Sequence, residues 1–255
     1  MVIALLTDFG DYYPGVMKGV IRRISGAEVV DITHSVKPQN VLEGAFLLYN
    51  AYRFFPRDTV FVAVVDPGVG GRRKALAIKT ENYWFVCPDN GIAYPSASGD
   101  GVVEVYRINE AVSELVGELS STFHGRDIFA PAGALLKEGR LEERYFSPLT
   151  DAIVELDLFD LTISKSGVRA MVVHIDRFGN VVTNVRRELV ERASPEGVIF
   201  NGLEIPLVER YEDVEVGEPL ALIGSFNTLE LSIREGDFAS EFGVGFGPVS
   251  LRWIR

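Results

Sequence analysis

The sequence predicts an α/β protein: an N-terminal domain on a covered, mostly parallel sheet, followed by a small antiparallel β-barrel domain. Two observations carry this expectation. Over roughly the first 155 residues, short apolar runs alternate with helical patterns, as they do where helices cover a parallel sheet. Beyond that point the alternation stops, and short segments split by Gly, Asn and Pro follow one another with little helical periodicity, as in small barrels and sandwiches.

VIALLT (2–7) is a continuous apolar run ending at Asp8, the pattern of a strand covered on both faces. Pro14 then stands in the first turn of a helical stretch, GVMKGVIRRI, where its missing N–H costs least. AEVVDI (27–32) is a second strand, and Pro38 opens a longer helical stretch through NVLEGAFLLYNAYRFF. TVFVAVV (59–65) is a third strand, ending at Asp66 and a glycine-rich turn, PGVGG. KALAIK, YWFVC and VVEVYR add strands, and DIFAPAGALLKEG reads as a helix closed by Gly. The barrel-like half comprises RAMVVHIDRFGNVVTNV, EGVIFNGLEIPLVE, EPLALIGSFNTLELSI and GPVSLRWI. This gives an α/β domain over 1–155, a linker over 156–168 and a barrel domain over 169–255.

Composition narrows the function. With 47% hydrophobic residues, 255 residues can bury a substantial core. The formal charge of −11 repels phosphate backbones, so nucleic acid is not the expected partner, whereas a cationic small molecule is tolerated. No apolar run approaches the ~20 residues of a membrane span. The start, MVIALLTDFG, carries Asp8 and no basic lead, so it reads as a strand rather than a signal peptide, and a cytoplasmic protein is expected. One cysteine, Cys87, excludes an intramolecular disulfide, and three histidines are too few for a typical zinc cage. Metal-free chemistry is the expectation, with a carboxylate-rich Mg²⁺ site left open by counting alone.

Asp8 and Asp66 each end an apolar strand before a glycine-containing turn. In open α/β sheets ligands sit beyond the carboxyl ends of the strands, so both aspartates are candidate ligand contacts; each is equally suited to capping its turn. Asp66-Pro-Gly-Val-Gly-Gly-Arg-Arg73 sets a carboxylate and two guanidinium groups around a flexible turn without a Walker lysine. His124 lies in STFHGRD, just before a helical stretch. His34 and His174 fit packing or a local hydrogen bond. Asp176, Asn180, Thr183 and Asn184 form a polar cluster in an otherwise apolar strand pair, there either to stitch a turn or to hold a polar ligand.

Together these segments resemble the S-adenosylmethionine (SAM) hydroxide adenosyltransferase family, relatives of the fluorinase and chlorinase. The resemblance runs nearly the whole chain in order: TDFG with MKG, DITHSVKPQNVLEGA, VVDPGVG with an arginine seven residues after its aspartate, CPDNG, STFHGRDIFAPA, HIDRFGNVVTN and GSFNTLELSIREGDFA. It implies an enzyme that splits SAM into adenosine and L-methionine by attack of water or hydroxide at ribose C5′, with no cofactor or metal. It also implies a homotrimer whose sites lie between neighbouring subunits. The implied water-activating set is Asp66, Arg73 and His124. Asp8 corresponds to the carboxylate on the ribose hydroxyls, Asp176 to the one near the methionine ammonium and Asn180 to an adenine contact. Ser225 and the backbone around Glu235 correspond to further methionine and adenine contacts. The halogenases carry Tyr where Asp66 and His124 stand, and an aromatic where Gln39 stands, so the departures favour a water-derived nucleophile over halide. Phe226 stands where the halogenases use an arginine for the methionine carboxylate.

Under the implied reaction the sulfonium is already a good leaving group, so the tasks are positioning and supplying the nucleophile. Lowering the pKa of water from ~15.7 to ~9 would take about 9 kcal/mol, more than one arginine supplies. Proton removal as the bond forms is therefore preferred, with His124 or Asp66 as base and Arg73 stabilising negative charge. Three other readings share these residues. A halide-using adenosyl transferase is disfavoured by the missing tyrosines. A non-catalytic SAM or adenosine sensor has less need of Asp66, Arg73 and His124 together. A metal-dependent hydrolase using Asp8, Asp66 and Asp176 is disfavoured by the scarce histidines.

Overall fold

The computed structural model describes residues 2–255 and divides the chain into two compact units, one reaching to Leu156 and the other spanning Asp157–Arg255. The first contains strands β1 (Val2–Thr7), β2 (Glu28–Thr33), β3 (Val60–Val64), β4 (Ala75–Thr80), β5 (Trp84–Pro88), β6 (Val102–Ile108) and β7 (Phe146–Pro148) in one sheet of order β2-β1-β3-β5-β4-β6-β7. The four strands β2, β1, β3 and β5 are mutually parallel, and β4, β6 and β7 add antiparallel pairs. The orientation follows from the connections. Helices α1 (Tyr12–Ile24) and α2 (Val41–Ala51) carry the chain back between β1, β2 and β3, whereas β4 and β5 are joined by a short turn that permits only a hairpin.

Every residue of β3 is buried, as its apolar run requires, and alternate side chains feed two faces. Val60, Val62 and Val64 join Met17 and Ile21 of α1 on one side. On the other, the Phe61 ring stacks on Phe85 at 5.2 Å. The longer helix expected from Pro38 begins instead at Val41. Gln39 holds a left-handed φ of 66°, and the Asn40 side chain accepts the Glu43 N–H at 3.2 Å, so the chain turns before the helix is capped. After α3 (Tyr94–Asp100), the segment expected as one helix from Asp127 divides into a π-helical turn, Gly125–Phe129, and α4 (Ala130–Lys137).

The second unit holds β8 (Thr162–Ser164), β9 (Gly167–Ile175), β10 (Val181–Arg186), β11 (Gly197–Phe200), β12 (Leu203–Pro206), β13 (Pro219–Ile223), β14 (Thr228–Ile233) and β15 (Gly247–Ile254). The ladder runs β12-β11-β15-β9-β10-β14-β13, all antiparallel, with β8 beside β9. A bridge from Leu207 to Ala221 joins its two ends into a nearly closed barrel. Residues 162–164, within the expected linker, are thus part of this sheet. Helices α5 (Arg187–Ala193) and α6 (Phe238–Glu241) lie in its connections. Thr183 Oγ1 donates to the Leu229 carbonyl at 2.7 Å. Asn184 Nδ2 donates to the Leu158 and Asp160 carbonyls at 2.9 and 3.1 Å while its Oδ1 accepts the Met171 N–H at 2.8 Å. These two polar residues stitch backbone. Among the described residues, no helix is long and apolar enough to cross a membrane.

All eight residues of α4 are buried, and the helix meets β3 through Gly133, where a Cβ would lie 2.7 Å from Val62 Cγ2. Gly133→Ala should therefore lower stability by about 1–3 kcal/mol through overpacking. Gly19→Ala, on an α1 position with nothing within 4 Å of the new methyl, should raise it by about 0.5–1 kcal/mol. Melting curves of the two variants should shift in opposite directions.

Candidate active site

Thr7 pairs with Val64 across the parallel β1–β3 ladder, so Asp8 and Asp66 leave the sheet at the same carboxyl edge. Beyond Asp66 the glycine turn folds tightly, with the Gly71 N–H on the Gly68 carbonyl at 3.0 Å. Gly70 has φ 73°, and a Cβ there would sit 2.3 Å from the Ser121 carbonyl oxygen. Only glycine allows that approach, and it lays the turn against the loop that carries His124.

Arg73 is thereby brought between two partners. Its Nε donates to Asp66 Oδ2 at 2.9 Å and Oδ1 at 3.1 Å, and its Nη2 donates to Oδ2 at 2.5 Å. The same Nη2 lies 2.7 Å from His124 Nδ1. The Asp66 and Arg73 side chains are 4% and 12% exposed, so the pair is largely out of water, and the guanidinium also lies over the Phe129 ring at 5.3 Å. A guanidinium only donates, so His124 Nδ1 is the acceptor and the neutral ring carries its proton on Nε2. Burial, and next the Arg73 charge, push the His124 pKa below its ordinary value, which keeps this neutral form.

The loop holding His124 is fixed from below. Fully buried Asp127 accepts the Ser120 N–H at 2.7 Å and Arg126 Nε at 2.5 Å, and Arg126 covers the Phe123 ring at 5.4 Å. The π-helical turn follows directly, a distortion that recurs at functional sites. Phe123 meets Phe9 edge-on at 5.9 Å, placing the His124 loop beside the turn that holds Asp8. Asp8 Oδ2 accepts the Gln39 N–H at 2.8 Å, and the carboxylate is half-buried. The sequence reading missed Asn90, whose Nδ2 donates to the Val65 carbonyl at 2.8 Å and so steadies the residue preceding Asp66. Its signal was the CPDNG motif, in which an amide follows a buried strand.

In the second unit, Asp176 and Asn180 close the β9–β10 turn. Asp176 Oδ1 accepts the Phe178 and Asn180 N–H groups at 2.8 and 3.0 Å, and Oδ2 accepts Asn180 Nδ2 at 2.9 Å. They line a cleft of about 640 Å³ together with Phe178, Tyr211, Arg234 and Glu235. Three carboxylates, from Asp176, Glu212 and Glu235, suit it to a cationic group, and exposed Phe178 offers a flat apolar surface. Tyr211, which no sequence signal marked, donates to buried Glu230 at 2.6 Å. Burial and that carboxylate push the phenol's pKa up, so it stays protonated. Ser225 occupies an exposed position on the β13–β14 turn, at the opposite end of β14 from Glu235, and is not among the cleft's lining residues. Phe226, beside it, packs edge-on against His174 at 5.8 Å. Among the described residues, no group of three or more His, Cys, Asp or Glu side chains is arranged to hold a metal ion.

An α/β unit presenting a carboxylate, a guanidinium and an imidazole in one hydrogen-bonded row, combined with a barrel unit presenting an acidic cleft, defines a two-domain protein equipped to polarise water and to handle a cationic small molecule. The model of the SAM hydroxide adenosyltransferase N-terminal domain matches residues 3–145, and that of the C-terminal domain matches residues 170–249. The chain belongs to the SAM hydroxide adenosyltransferase family. It is 35% identical to the (R)-S-adenosyl-L-methionine hydrolase of Methanocaldococcus jannaschii over 91% of this chain and 88% of that one. It is 26% identical to a fluorinase of Actinopolyspora mzabensis over 100% and 97% of the two chains. The crystal structure of an uncharacterized conserved protein from Thermotoga maritima superposes with a TM-score of 0.88 at 36% identity, covering 99% of this chain and 100% of that one.

The row of hydrogen bonds fixes the protonation of His124, and ¹⁵N-detected NMR should find Nε2 protonated and Nδ1 bare. The ring should titrate below the ordinary value of 6.5. Because the folded-state pKa is the lower one, this group's contribution to stability is present above the unfolded value and is lost as pH falls through the folded one.

Proposed function

We propose that this chain hydrolyses the (R) sulfonium epimer of S-adenosyl-L-methionine to adenosine and L-methionine, water displacing sulfur at ribose C5′. The observation that carries the proposal is the Asp66–Arg73–His124 row at the carboxyl edge of the sheet, in a chain whose relatives include a named (R)-SAM hydrolase. The oxygen of water forms a bond to C5′ as the C5′–S bond breaks. The electron pair of that bond goes to sulfur, leaving neutral thioether methionine, and one water proton must be taken up.

The geometry favours one of the two bases left open by the sequence. Neutral imidazole has a single acceptor nitrogen, and in His124 Arg73 occupies it. His124 therefore offers Nε2–H as a donor that orients the water. Asp66 Oδ2 takes the two shorter Arg73 bonds, while Oδ1 has one at 3.1 Å. Oδ1 is the oxygen with capacity for the proton, and Arg73 holds the carboxylate in place and stabilises the charge around it.

The remaining roles extend the same proposal. Asp8 holds the ribose hydroxyls, Asp176 faces the methionine ammonium and Asn180 contacts adenine. The backbone near Glu235 and the Ser225 hydroxyl supply further adenine and methionine contacts. The reaction draws on no cofactor or metal, since the sulfonium activates the substrate. A cytoplasmic homotrimer, with the water-activating row of one copy and the acidic cleft of a neighbour sharing one substrate, completes the reading.

Turnover of each sulfonium epimer in ¹⁸O-water should place label at the adenosine 5′-oxygen, faster from the (R) form. Unlabelled adenosine, or 5′-halo-adenosine formed with chloride or fluoride, overturns the proposal. For the roles, Asp66→Asn should lower kcat by ~10²–10⁴-fold, the range for loss of a general base. His124→Gln keeps an N–H near Nε2 but cannot serve as a base, and should cost no more than about tenfold. Equal losses would return the base role to His124.

A further inference from the structure

Behind Asp8 lies a chain of polar side chains that the reaction does not use. Lys18 of α1 donates to Asp31 Oδ2 at 2.5 Å, and Asp31 Oδ1 lies 3.0 Å from His34 Nε2, close to it though not in well-aimed hydrogen-bond geometry. His34 Nδ1 is 2.9 Å from Thr7 Oγ1, and Thr7 Oγ1 accepts the Phe9 N–H at 3.2 Å. With a carboxylate beside Nε2 the ring proton belongs there, so Nδ1 accepts the Thr7 hydroxyl proton, leaving Thr7 Oγ1 to accept from Phe9. The His34 carbonyl, in turn, accepts the Gly10 N–H at 3.0 Å.

His34 thus holds both sides of the turn that carries Asp8: its ring acts through Thr7, and its carbonyl holds Gly10. Five residues on, Gln39 donates its N–H to the Asp8 carboxylate itself. Thr7 is fully buried, while Asp31 and Lys18 side chains are about a third exposed, so the chain runs from the surface to the buried strand end. A half-buried carboxylate on a three-residue turn has its own rotamer freedom, and two ribose hydroxyls can be held at once only if that freedom is removed before the substrate arrives.

We propose that His34 is a positioning residue, the centre of a Lys18–Asp31–His34–Thr7 relay that presets the Asp8 carboxylate for the ribose diol. The assignment rests on the role of Asp8 given under Proposed function.

The test compares SAM with its 2′,3′-dideoxyribose analogue in wild type, Asp8→Asn, His34→Ala, His34→Asn and Thr7→Val. His34→Ala and Thr7→Val should each raise KM for SAM roughly tenfold, the worth of one hydrogen bond to a charged group, while kcat changes by less than about threefold. His34→Asn, whose Oδ1 can accept the Thr7 hydroxyl proton, should recover most of that loss. On the dideoxy analogue, and in the Asp8→Asn background, His34→Ala should add nothing further. An unchanged KM for SAM, or an equal rise on both substrates, overturns the positioning role and leaves the Asp8 assignment standing. Asp8→Asn and wild type treating SAM and its analogue alike would overturn the Asp8 assignment and this proposal with it. Should His34→Ala fail to fold, His34→Asn and Thr7→Val decide the matter by the same readings.

Discussion

The Arg73 guanidinium is the constraint on which the site depends. It can give protons to hydrogen bonds but never accept them. Its two edges are divided between a carboxylate and an imidazole, in a place where the guanidinium and the carboxylate are largely removed from water. Each partner is thereby committed. The carboxylate is fixed in orientation by the paired Arg73 bonds, and the imidazole is held neutral with its free nitrogen protonated. A lysine has the charge but not the planar fork, and could not fix the carboxylate through two parallel N–H groups.

That arrangement is a product of topology more than of local propensity. Parallel neighbours bring the ends of β1 and β3 to one edge, so two aspartates separated by many residues emerge together. The third member arrives from a loop that no strand supports. It is placed by a glycine that permits backbone-to-backbone approach at Ser121, by buried Asp127 and by a helix that starts one residue wide before tightening. Sheet and loop are joined by the Phe9–Phe123 contact, so the turn carrying Asp8 and the imidazole loop lie side by side.

Much of this was legible in the residues. The apolar runs before Asp8 and Asp66 declare buried strands, and a carboxylate at the end of such a run stands out. The change from helical to alternating patterns near residue 155 marks the second unit. What the sequence did not reveal depends on distance or on direction. Arg73 and His124 are 51 positions apart, and nothing local says that they touch. Strand direction is set by the length of a connection, and the short turn at residues 81–83 makes β4 run against β5 while β3 and β5 stay parallel. Pro38 looks like a helix start, yet the left-handed Gln39 and the Asn40 cap move that start by three residues. Thr183 and Asn184 read equally as ligand contacts until their partners proved to be backbone carbonyls and an amide. Tyr211 and Ser225 lie on turns whose placement only the closed barrel determines.

The seam between Leu207 and Ala221 has a consequence for how the second unit meets other molecules. Strand ends left open would expose a row of unpaired amides and carbonyls, an invitation to any passing extended peptide. Here Val208 gives its N–H to the Ala221 carbonyl at 2.9 Å, so at this point the two edges meet within the chain. A strand from another molecule cannot pair at that point without displacing this bridge, so the meeting of the two edges guards the barrel against strand addition there.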